Sequence, residues 1–175
     1  MRLDTRAACC IASFSASRFL CTGVNKDGKL TSIDSYALAD TGGYASLGGP
    51  VFNLTIEHAG GVYFFPNGNI SGQCMYTNAG FPVAFRGFGV PQALFALETQ
   101  MDEMAHAIGM DRLEFRRINL LEKGQTGAID NEFPLSIGSH AIVDAMAEGE
   151  IYKNKEALIN IWVKTGVLKS SFIAL

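Results

Sequence analysis

From Pro91 onward, Leu94, Leu97, Met101, Met104 and Ile108 recur at steps of three and four residues. That period sets all five on one side of an α-helix of about five turns, with Glu98, Asp102, Glu103 and His106 mostly off the stripe. An apolar stripe of this length predicts burial against a second layer, so it restricts the fold more than any other feature of the chain. Pro91 suits the first turn of such a helix, where its missing N–H costs nothing, and Gly109 suits its end. Asp111 with Glu114 then forms an aspartate version of the capping box, which predicts a second helix over Arg112 to Asn119. Two further helices are expected at Ser139 to Glu148 and Lys153 to Val163, with Gly149 between them.

The first half of the chain reads differently. "FLCTGVNKDGKLTSIDSYALAD" predicts a β-hairpin turning at Asn25–Gly28, with Leu30, Ile33, Tyr36 and Leu38 as an imperfect strand pattern. Pro50 favours a helix start, which makes Val51 to Gly60 a short helix. "NISGQCMYTN" reads as a strand, and "SSFIAL" at the chain end as another. Residues 1–18 show no period. Strands mainly in the first half and helices mainly in the second give an α+β fold, with 1–16 as a poorly defined N-terminal segment and 17–175 as the domain.

Hydrophobic residues make up 48% of the 175 and charged residues 18%, enough to build a core. The net charge of -3 and the lack of any Lys/Arg run argue against a nucleic-acid partner. Cys9, Cys10, Cys21 and Cys74 form no C-x-x-C pair and have no histidine at metal-ligand spacing, which fits free thiols in a reducing compartment. The N-terminus makes a poor signal peptide, because Asp4 interrupts its charged region and the apolar run is short and serine-rich. No stretch approaches the roughly 20 apolar residues that span a bilayer. A cytoplasmic location with no membrane contact is the expectation. "TGGYASLGGP" is glycine-rich but lacks the Lys-Ser/Thr of a phosphate loop and any G-x-G-x-x-G.

The loop before the long helix, "AFRGFGVPQ", sets one arginine and two phenylalanines among glycines. Gly87 and Gly89 let the backbone pass where a β-carbon would collide. Phe85 and Phe88 offer ring faces for stacking, and Arg86 a permanent charge with five donors. A helix N-terminus next to it favours anions. Together these suit a flat, electron-rich, anionic ligand. They also suit a tight connection with two core phenylalanines and an ordinary ion-pairing arginine, and composition does not separate the two.

The loop, the helix after it and "GMDRLEFRRIN" together resemble the molybdenum-binding subunit of the xanthine dehydrogenase and aldehyde oxidase family. "DGKLTSIDSYALADTGGYASLGGPV" and "YTNAGFPVAFRGFG" fit that family in order and spacing, and "PLSIGSHAIVDAMAEGEIYKNKEALI" more weakly. The resemblance implies part of a larger molybdopterin-binding domain, so the chain is expected to be a fragment. It implies a molybdenum–molybdopterin cofactor shared with segments absent here. Ala84, Phe85, Arg86 and Gly87 would lie against that cofactor, Arg86 approaching molybdenum through its backbone. Phe88 would stack on the substrate ring.

Further implications concern chemistry and partners. The family hydroxylates N-heteroaromatics, purines or aldehydes oxidatively with water as the oxygen source, and passes electrons to iron–sulfur clusters and FAD on partner subunits or domains. Its catalytic glutamate lies in a glycine-rich segment absent here, so no catalytic residue is expected in this chain. Purine-oxidising members carry an arginine where counting back from the loop places Leu54. Carbon-monoxide-oxidising members carry a cysteine within the loop, where this chain has Gly87–Phe88. The alternative expectation is a non-catalytic remnant or assembly domain that keeps the fold without binding cofactor.

Overall fold

The computed structural model describes residues 2–11, 14–80, 84–129 and 136–156, with the backbone alone for 2–11 and 14–18. Four strands form one mixed sheet in the order β1 (Arg2–Ile11), β2 (Phe14–Val24), β3 (Leu30–Gly42), β4 (Gly68–Tyr76). The first three pair antiparallel, and β4 adds parallel to β3. A parallel neighbour requires a crossover, and α1 (Gly48–Glu57) lies within it. The remaining helices follow: α2 (Val90–Ile108), α3 (Arg112–Arg117), α4 (Ser139–Glu148) and α5 (Glu150–Lys153). The fold is α+β, as the sequence pattern predicts.

Residues without a period turn out to form a strand. Arg2–Ile11 pairs along its whole length with β2, and the boundary drawn at residues 16 and 17 falls inside β2. Pairing with a neighbour orders a strand whose own pattern carries no signal. The predicted hairpin at Asn25–Gly28 is present: Asn25 N–H donates to Lys29 O at 2.9 Å, and its side-chain Oδ1 accepts from the amides of Asp27 and Lys29.

From Ser35 onward the inward residues of β3 are small. Ile33, Ser35, Ala37, Ala39 and Thr41 are buried under the helices, whereas Tyr36 faces away and is 37% exposed. Small side chains on the covered face let α1 approach the sheet closely. Hydrophobicity alone therefore misassigns the faces of this strand.

Helix α2 behaves as its period requires. Leu97, Met101 and Met104 are fully buried, and Leu94 and Ile108 pack half-buried at the edge of the same core, with Ile33 and Phe115. Pro91 lies in the first turn, and Gly109 closes the helix in the left-handed region at φ 70°. The segment "GMDRLEFRRIN" is a clasp. Asp111 caps α3 by accepting from the amides of Leu113 and Glu114. Phe115 enters the core. Arg116 donates to Glu98 Oε2 at 2.8 Å and Asp102 Oδ1 at 2.6 Å, tying α3 to α2. Tyr63 donates to the same Glu98, and burial, followed by the nearby carboxylate, holds its hydroxyl pKa well above the usual range. Buried Asn119 donates to Gly28 O and Phe115 O and accepts from Leu30 N–H, each at 2.8 Å, so it joins α3 to the hairpin turn.

Of the predicted helix over Lys153 to Val163, only 153–156 are described, and 153, 155 and 156 are helical with a turn at 154. Gly149 is extended and caps α5, which starts at Glu150 and ends at Lys153; residues 157–163 and the strand expected in "SSFIAL" lie outside the described residues. The helix expected to reach Asn119 ends at Arg117.

Candidate functional site

The parallel pair β3 and β4 delivers two chain ends to one place. Thr77 N–H donates to Gly42 O at 3.0 Å and Gly43 N–H to Ala79 O at 3.1 Å, so the loops after the two strands are laced together. Asp40 Oδ1 supports both, accepting from Gly42 N–H and Thr77 Oγ1 at 2.7 Å each. Helix α1 begins a few residues further on. Its buried face, Val51 and Thr55, receives the loop that precedes α2.

That loop has an unusual backbone. Gly87, Phe88 and Gly89 take consecutive positive φ values of 98°, 50° and 94°. Two of the three are glycine, as sterics require, and the third is a phenylalanine, for which this region is an outlier. The turn is held by Phe88 N–H to Phe85 O at 2.9 Å and Val90 N–H to Gly87 O at 3.0 Å. A β-carbon on Gly89 would lie 2.4 Å from both Thr55 Oγ1 and Val51 O, and one on Gly87 would lie 2.6 Å from Pro91. Both glycines are therefore needed for close approach, toward α1 in one case and toward the proline in the other.

Thr55 is the anchor that sequence reading overlooked. Its hydroxyl lies 3.0 Å from Val51 O and 3.2 Å from Gly89 O. A helical threonine normally back-bonds within its own helix, so the second contact leaves no trace in the sequence.

The site residues divide into two sets. Ala84 and Phe88 are half-buried and pack with Phe52 and Cys74 on Ala39 and Val51. Phe85, Arg86 and Gly87 are exposed, Phe85 at 63%. Phe88 is thus supported by packing on one side, and Phe85 is the more open of the two rings. Among the described residues, the N–H groups of Phe85, Arg86 and Gly87 meet no acceptor. Leu54 lies half-buried on α1, next to the anchoring Thr55. Burial, with Asp40 adding to it, pushes the Cys74 thiol up, so Cys74 stays protonated within the small apolar cluster. No group of three or more His, Cys, Asp or Glu side chains able to hold a metal occurs among the described residues. Polar contacts offered by this loop come from its backbone and from Arg86.

The profile of the molybdopterin cofactor-binding domain matches residues 4–120, and the chain belongs to that family. It is 37% identical over 132 residues to a probable xanthine dehydrogenase subunit of Bacillus subtilis, covering 75% of this chain and 18% of that protein. It is 39% identical over 117 residues to the nicotinate dehydrogenase large molybdopterin subunit of Eubacterium barkeri, covering 67% of this chain and 28% of that one. Aldehyde oxidoreductase from Desulfovibrio gigas superposes with a TM-score of 0.68 at 31% identity, over 76% of this chain and 15% of its own. The chain thus spans less than a third of each of these relatives. No helix among the described residues is long and apolar enough to cross a membrane.

Proposed function

We propose that this chain supplies one wall of a molybdenum hydroxylase active site. The observation that carries the reading is the Gly87–Phe88–Gly89 turn, clamped to α1 and leaving the Phe85, Arg86 and Gly87 amides free. Strained backbone at an exposed loop is characteristic of a site that holds a ligand. Free amides beside a cation suit an anionic, oxygen-rich group, so the residues present fit the molybdenum–molybdopterin cofactor. When bound, that cofactor supplies the acceptor for two electrons and the oxygen transfer of an oxidative hydroxylation. The substrate C–H and water become C–OH, with two protons and two electrons released.

In this reading the chain's own residues bind and orient. Ala84, Phe85, Arg86 and Gly87 present backbone to the cofactor, Arg86 nearest the metal. Phe88, braced on Val51 and Ala39, offers the free part of its ring to a planar substrate. The substrate class is an N-heteroaromatic, purine-like molecule or aldehyde, and Leu54 weighs against purines because it offers no positive charge on α1. The base, the rest of the pterin contacts, and the iron–sulfur and FAD centres that take the electrons would come from the remainder of the molybdenum subunit and from partner subunits. A cytoplasmic setting belongs to the same proposal.

The test is cofactor retention. The chain is co-expressed with the remaining segments of a related molybdenum subunit in a bacterial host that makes the cofactor, and the molybdenum and oxidised-pterin fluorescence of the purified complex are measured. Pterin bound with the parent chain and lost with a folded Gly89→Val variant supports the wall reading. A folded chain that joins the complex and leaves it without pterin is an assembly or remnant domain instead.

A further inference from the structure

Two glutamines lie on the buried face of α2, and they are treated differently. Gln100 is fully buried and satisfied: its Oε1 accepts from Thr22 Oγ1 at 2.8 Å, and its Nε2 donates to Leu20 O at 3.2 Å. Gln92, two turns earlier, is 7% exposed, and its buried carbonyl oxygen has no partner among the described residues. An unpaired buried carbonyl is a cost that folded proteins rarely retain without a reason.

The position of Gln92 supplies the reason. It is the third residue of a 19-residue helix whose cap is Gly89, so it sits one turn or less beyond the strained loop. Helical side chains lean toward the N-terminus of their helix, which carries the Gln92 amide back toward the level of that loop. The phosphate oxygens and an oxo group on the metal are acceptors and would not seek a carbonyl. The pterin ring system is planar and rich in N–H groups, and it is the donor-bearing part of the cofactor.

We infer that the Gln92 carbonyl is an acceptor left unpaired in the cofactor-free chain for an N–H donor of the pterin, a contact made only when the side chain turns to meet the cofactor. The inference rests on the wall reading above and adds a residue outside the loop to it. It also separates two roles on one helix face: Gln100 serves the fold, Gln92 the ligand.

Three variants, Gln92→Met, Gln100→Met and Gly89→Val, test it beside the parent chain, each co-purified with the remaining subunit segments from the cofactor-making host. Melting is followed on cofactor-free protein and pterin content on protein as isolated. Replacing an unpaired amide by an apolar group of similar shape removes a cost, so Gln92→Met should melt at or above the parent temperature. Gln100→Met should melt below it. Pterin per chain should fall roughly tenfold in Gln92→Met, the factor for a contact worth about 1.4 kcal/mol. A Gln92→Met chain that melts below the parent, as one bonded to buried water would, overturns the inference. So does unchanged pterin. Pterin lost in Gly89→Val but kept in Gln92→Met defeats only the Gln92 assignment, whereas a parent without pterin defeats the wall reading with it.

Discussion

Gly89→Ala is the most direct probe of how the loop is held. Two costs combine. The residue sits at φ 94°, and an L-residue forced into left-handed backbone loses about 1–2 kcal/mol. The added β-carbon would also lie 2.4 Å from the Thr55 hydroxyl and 2.4 Å from the Val51 carbonyl, which is backbone and cannot swing aside. Overpacking of this kind costs about 1–3 kcal/mol. Together the expected loss is about 2–5 kcal/mol, or roughly 4–20 °C in melting temperature for a chain of this size. Gly109→Ala is the control. Gly109 has φ 70° but nothing within 4 Å of its β-carbon position, so it should lose the backbone term alone, about 1–2 kcal/mol. Urea unfolding followed by circular dichroism gives both values, with unchanged m-values as the check on two-state behaviour. Equal losses at the two glycines would refute the docking of the loop on α1.

Four other outcomes follow from the same structure. Leu97→Ala, at a fully buried position, should destabilise by about 2–5 kcal/mol, read from urea midpoints. Asn119→Ala should cost about 1–3 kcal/mol for each of the three backbone groups it strands, Leu30 N–H, Gly28 O and Phe115 O, and hydrogen exchange at Leu30 should accelerate. Phe88→Ala should cost less stability than the roughly 3–5 kcal/mol of Phe115→Ala, because Phe88 is half-buried and Phe115 fully so; equal melting losses would make Phe88 an ordinary core residue. The Asp111 carboxyl is raised by burial, but hydrogen bonds from Lys155, Tyr152 and two backbone amides outweigh this and hold it below the usual range. Its contribution is therefore complete above the unfolded value of about 3.9 and is lost as pH falls toward the folded value. The stability gap between parent and Asp111→Asn should be constant near neutrality and close below about pH 4; a gap that widens on acidification would contradict the sign.

Much of the second half was legible because its signals are local. The α2 stripe, Gly109 as its stop, Asp111 as a cap and the Ser139–Glu148 helix each depend on residues within a turn or two of one another. The glycines at 87 and 89 were visible as a motif, but the contacts that exclude a β-carbon at 89, Thr55 and Val51, come from α1. Tertiary structure decided the rest. Residues 2–11 carry no period of their own and become a strand only by pairing with β2. β3 hides its core face behind serine and alanine, and only the approach of α1 shows which face that is. Thr55 looks like any helical threonine until Gly89 O arrives from 34 residues away. Gln92 and Gln100 are the same residue type two turns apart on one helix, and nothing local distinguishes them. The difference is that β2 brings Thr22 and Leu20 to Gln100 and no partner to the carbonyl of Gln92. Propensity and periodicity act over a few residues, whereas a hydrogen bond between distant segments exists only once the chain has packed.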